Sequence, residues 1–226
     1  MAYRSSTFED NNFGATSITI TAPTGITNDD ILVMILGLQD NGALKTITWP
    51  SGFTEKASHD GNGTNSQQLY VAWKKASGES GDYTASYTGA ADAAGGVMCF
   101  SGRVTTGDPF STAPVFDDAD SDPSGNDIEL SLTATAGDDL GAVACRNSGG
   151  NDWTCAAMTE VWDGSEQGAY YENAVGAGAA ARTIVGGANY GDNRGVLFAL
   201  AVAGAAAGVA KRSTIINQAV NRAANW

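Results

Sequence analysis

Apolar and polar residues alternate strictly in Ile18, Thr19, Ile20 and Thr21, and again in Leu130, Ser131, Leu132 and Thr133. A period of two buries one face and wets the other, which predicts half-buried strands. In residues 68–74 the same rule puts Leu69, Val71 and Trp73 on one face and Tyr70, Ala72 and Lys74 on the other. The runs VMCF at 97–100 and VLFAL at 196–200 are apolar without interruption, which predicts strands covered on both sides. Asn-Gly at Asn41 and Asn62 and Asp-Gly at Asp60 supply the positive φ that hairpin turns require.

These phrases come twice, in one order. Residues 17–39 resemble 128–149, 53–61 resemble 158–164, 68–78 resemble 169–178, and 83–102 resemble 182–204. Each copy of about 80 residues would bury its apolar face only marginally alone. The expected fold is therefore an all-β, jelly-roll-like β-sandwich built from two similar halves, residues 17–102 and 127–204. Two separate small sandwiches are the alternative. Residues 1–16 read as an N-terminal arm, 103–126 as an acidic linker, and 205–226 as a C-terminal arm.

The repeat bears on two acidic pairs. Asp29-Asp30 and Asp138-Asp139 each follow a turn and precede an apolar run, so they are expected at equivalent places. Aspartate suits turns because its carboxylate accepts from nearby backbone N–H groups. Punctuation, not a catalytic pair, is the reading.

Composition sharpens the picture. With 29 glycines, a net charge of -13 and 42% apolar residues, the chain favours strands and turns and can fill a core. Clustered Lys and Arg for phosphates are missing, so neither nucleic acid nor an anionic membrane is an expected partner. The first 14 residues lack an apolar signal region and no run spans a bilayer. Cys99, Cys145 and Cys155 fit neither a disulfide framework nor a zinc site, which points to folding in a reducing cytoplasm.

Candidate chemistry is sparse. The single histidine, His59, lies in a turn-rich stretch, and no nucleophile motif surrounds any Ser or Cys, so no enzyme is expected. The metal candidate is residues 118–129, where Asp118, Asp120, Asp122 and Glu129 take positions 1, 3, 5 and 12 of a calcium loop. Pro123 replaces the glycine of position 6, and a strand follows where a helix should. Trp49, Trp153, Trp162 and Tyr170 are candidates for a glycan site, since sugars stack on exposed rings. In residues 205–226, Ser213 or Thr214 can cap a short helix. An assembly arm of Lys211, Arg212, Ile215, Ile216, Val220 and Trp226 is expected there.

The phrases NDDILVM at 28–34, GDDLGAV at 137–143, WPSGFT at 49–54, LYVAWKKA at 69–76, GDYT at 81–84 and CFSG at 99–102 resemble those of tailed-phage virion proteins of the jelly-roll or β-sandwich type. The resemblance covers residues 15–204. It implies a structural protein of a virion made in the host cytoplasm, with a capsid decoration (cement) protein as the first expectation. A trimer bound to the major capsid protein or other virion proteins follows from it. A tail or baseplate module that binds a receptor or glycan is the alternative. The resemblance carries no active site and no cofactor beyond the calcium candidate above.

Overall fold

The computed structural model describes residues 3–39, 44–60, 67–118, 127–146, 153–164, 166–186 and 193–203. Asp120, Asp122 and all six expected arm residues, Lys211, Arg212, Ile215, Ile216, Val220 and Trp226, lie outside them. The described chain is all-β, with antiparallel strands in a sandwich-like arrangement.

The first half contributes β1 (Tyr3–Ile20), β2 (Ile31–Gln39), β3 (Ile47–Thr48), β4 (Thr54–Asp60), β5 (Gln67–Lys75) and β6 (Tyr83–Phe100), in the sheet order β1-β6-β2-β5-β4 with β3 on β6. The second contributes β7 (Val115–Asp118), β8 (Ile128–Ala134), β9 (Asp139–Cys145), β10 (Thr159–Asp163), β11 (Gln167–Glu172), β12 (Gly178–Ile184) and β13 (Arg194–Leu200). Its main sheet runs β10-β11-β9-β13-β7, and β8 pairs with β12 in a separate ribbon. Each main sheet thus belongs to one half of the sequence.

The cores form layers. Ile31, Val33, Ile35, Leu69, Val71, Met98 and Phe100 of the first sheet meet Val143, Ala169, Val196, Phe198 and Leu200 of the second in a central core. The outer face of each sheet is covered by a ribbon of its own half. In the first half, β1 and β6 shift register between Asn11 and Ser17, and their paired ends bring Ile18, Ile20, Tyr83 and Ala85 over Leu32, Met34 and Leu36. In the second, Ile128, Leu130 and Leu132 of β8 cover Leu140, Ala142 and Leu197. This explains the unbroken apolar runs: in β2, even residues face the outer core and odd residues the central one. Tyr70 and Trp73 divide between the two faces as the alternation predicts.

The duplication reaches further than the sequence phrases. Thr7 lies opposite Val97, three residues before Phe100, and Val115 lies opposite Leu197, three residues before Leu200. Strand β7 therefore repeats the middle of β1. Part of the expected acidic linker is a strand of the second half, and residues 3–16 of the expected N-terminal arm are the start of β1.

Candidate functional site

The acidic pairs lie at the start of β2 and β9, where the structure shifts their equivalence by one residue. The N–H of Thr27 donates to Asp30 Oδ2 at 2.8 Å, and the N–H of Thr135 donates to Asp138 Oδ2 at 2.8 Å. Around them the backbone repeats: the Asp29 N–H bonds Ala76 O as that of Gly137 bonds Val175 O, and Ala76 and Val175 donate back to Asp30 O and Asp138 O. Asp30 therefore matches Asp138, and Asp29 matches Gly137. Both latter residues have positive φ, 70° and 91°, which explains the glycine. The remaining acid, Asp139, is buried against Arg103, with Nε to Oδ2 at 3.3 Å, and accepts the Ala174 N–H. Arg4 Nε pairs with Asp30 at 3.0 Å, beside a cleft of about 310 Å³ lined by Asp29, Ser101, Arg103 and Ala203. These carboxylates are turn locks already in use.

The far ends of the sheets hold a different constellation. Asp10 of β1, Asp92 of β6 and Glu166, just before β11, bring one carboxylate oxygen each within 4.8 Å of one another. Two come from the first half and one from the second. Register places them: Asp10 sits opposite Ala94 in the β1–β6 pair, and Asp92 is two residues away on the same face of β6. Burial, then the charges of Asp92 and Asp10, push the Glu166 carboxyl up to about 7, and its hydrogen bond with Asp92 acts the same way. Burial and Asp10 also raise Asp92, whose Oδ1 is buried without a hydrogen-bond partner among the described residues.

Next to Glu166 in the chain, Gln167 is fully buried. Its Nε2 donates to Ala94 O at 3.4 Å, while its Oε1 has no hydrogen-bond partner among the described residues. Close by, Phe8 stacks on Trp162 at 5.8 Å between centroids.

The residues expected from sequence fall elsewhere. Asp118 is engaged: its Oδ1 accepts from His59 Nε2 at 2.8 Å and lies 3.0 Å from Arg194 Nε, a fully buried guanidinium. Glu129 lies in β8, where its N–H donates to Asp117 Oδ2 at 2.6 Å. Asp118 is thus already paired with a guanidinium and an imidazole, while Asp120 and Asp122 of the expected calcium loop lie outside the described residues. His59, in a stretch that reads as turn-rich, is half-buried in β4 and stacks on Phe116 at 5.2 Å.

The expected sugar platform is not assembled. Trp153, Trp162 and Tyr170 are buried, the first and last in the outer core of the second half and Trp162 in the central core. Trp49 packs on the outer core of the first half and donates its indole N–H to Glu55. Aromatic area in a β core outweighs what an exposed ring would contribute. Tyr171 takes the opposite face from Tyr170 and stacks on Tyr3 at 4.2 Å. All three cysteines are free and buried, and burial pushes the Cys99 and Cys145 thiols up to about 12.

Sequence reasoning missed Asp10, Asp92 and Glu166. They lie far apart in the chain, and only strand register brings them together. No family model, curated protein or solved structure matches this chain.

Proposed function

We propose that this protein is a structural component of a tailed-phage virion, a decoration protein seated as a trimer on the outer capsid shell. The reading starts from the phrase resemblance over residues 15–204. The observation that supports it best is how completely the body consumes its own apolar surface. Both main sheets are covered on both faces. Among the described large apolar residues only Leu44 and Val185 are exposed. Such a body is a stiff block that does not adhere through its faces, as a shell ornament requires. Attachment and self-association then fall to residues outside it, with 205–226 the apolar and basic candidate. The tail-tip, glycan-binding alternative draws less support, because its aromatic rings are packed inside.

The test is the solution mass, by light scattering, of the full chain and of a version ending at Gly204. A trimer that becomes a monomer on truncation supports an assembly arm on a self-contained body. A monomer in both forms overturns the trimeric decoration reading.

A further inference from the structure

The two matched turns offer an internal comparison. Ile31 and Asp139, which follow Asp30 and Asp138, pair with Phe100 and Leu200. Phe100 and Leu200 are therefore counterparts and so, two residues on, are Gly102 and Val202. In the second half Val202 covers the turn: a Cβ on Gly137 would lie 3.4 Å from Val202 Cγ1. In the first half both positions are exchanged. Asp29 stands where the turn has glycine, at a φ of 70° that disfavours any residue with a Cβ, and Gly102 stands where the cover has valine. Asp29 and Gly102 both line the cleft of about 310 Å³.

The charges of this cleft are uneven. Its two guanidiniums are committed, Arg4 to Asp30 at 3.0 Å and Arg103 to Asp139 at 3.3 Å. Asp29 meets Lys75 at 3.5 Å, but both side chains are exposed, so that pair contributes little. Thr27, Asn28, Ser101 and Thr105 add neutral polar groups to the wall. Such a wall accepts a cation, and the chain brings one to it. Ala203 is exposed and lines the same cleft. From it leads the segment 204–226, which holds Lys211, Arg212 and Arg222 and no acid. Every acid of a chain with net charge -13 therefore lies before that segment.

We propose that the cleft beside Asp29 docks the Lys211-Arg212 pair of the same chain. Residues 204–210 read GAAAGVA, a flexible tether. Its length reaches at most about 28 Å when extended and about 16 Å on average, enough to bring the pair back to a cleft where the tether begins. So short a link holds the pair at an effective concentration in the millimolar range, and a contact too weak to join two molecules is populated within one. The segment would rest on its own body until a stronger partner displaced it. This docking is independent of the virion reading, because it concerns where the segment sits on the body that carries it.

The experiment is limited trypsin digestion of the full chain at low ionic strength, with release of the C-terminal fragments followed by mass spectrometry. Where opening is fast relative to cleavage, the rate reports the undocked fraction. Asp29→Asn keeps the shape of the side chain and suits a positive φ, so the variant stays folded. Cleavage after Lys211 and Arg212 should then speed up by about threefold to fivefold, the effect of one partly exposed ion pair. Glu129→Gln removes the same charge from the exposed face of β8 and should leave the rate unchanged. Equal rates for Asp29→Asn and the unmodified chain overturn the proposal. So does an equal acceleration by Glu129→Gln, which marks diffuse attraction to an acidic body. Protection that disappears on dilution overturns it too, since the host would then be a second copy. These rates are read separately from the solution mass, so this test and that of the assembly reading can fail independently.

Discussion

Glu166 makes the stability of this protein depend on pH in the direction opposite to that of most carboxylates. Its folded pKa is raised from 4.5 to about 7 by burial and by Asp92 and Asp10. Between those values the folded state binds a proton that the unfolded state has lost, so stability falls as pH rises. The contribution is full below pH 4.5 and gone above about 7. At about 1.4 kcal/mol per pH unit the interval is worth roughly 3 kcal/mol. Glu166 is half-buried, and solvent screening reduces this to about 1–2 kcal/mol. Glu166→Gln mimics the protonated form and can still donate to Asp92. The assay is urea unfolding from pH 5 to 8.5 with a chelator present, comparing the variant with the unmodified chain. The difference in unfolding free energy should grow by about 1–2 kcal/mol in favour of Glu166→Gln as pH rises, because titrations outside this cluster are common to both. Parallel pH profiles, or a variant that loses ground as pH rises, would refute the reasoning.

Other outcomes follow from single contacts. Asp29→Gly should stabilise by about 0.5–1 kcal/mol in thermal melts, because φ there is 70° and the ion pair lost, with Lys75, is exposed. Asp138→Ala should cost about 2–3 kcal/mol in chemical denaturation, as it strips the acceptor from the Thr135 N–H and the Ser111 hydroxyl. Gly168→Ala places a Cβ 2.7 Å from Trp153 Cβ and should cost about 1–3 kcal/mol by overpacking, with a shift in tryptophan fluorescence. Trp153→Ala should cost about 3–5 kcal/mol while leaving any glycan binding unchanged, since the ring is buried.

Much of this protein is written along the chain. Period-two alternation in β8 and the sidedness of Leu69, Val71 and Trp73 are local properties of an extended backbone, so the sequence states them directly. The repeated phrases likewise establish two similar halves, and the acids before β2 and β9 act as turn residues because the carboxylate of Asp30 or Asp138 reaches an N–H three residues away. The arrangement of layers could not be read this way. An unbroken run such as β2 says that both faces are covered without saying by what; the answer, a ribbon of the same half on one side and the other half on the second, is a matter of long-range packing. The one-residue offset between Asp29-Asp30 and Asp138-Asp139 also escapes the letters, since the doublet matches by eye while the hydrogen bonds match Asp30 to Asp138. The acidic segment has calcium-loop spacing in the sequence, yet in the fold its Asp118 pairs with Arg194. The convergence of Asp10, Asp92 and Glu166 was decided by register and by the meeting of two sheets, because charges distant in sequence interact only where the fold removes the water between them.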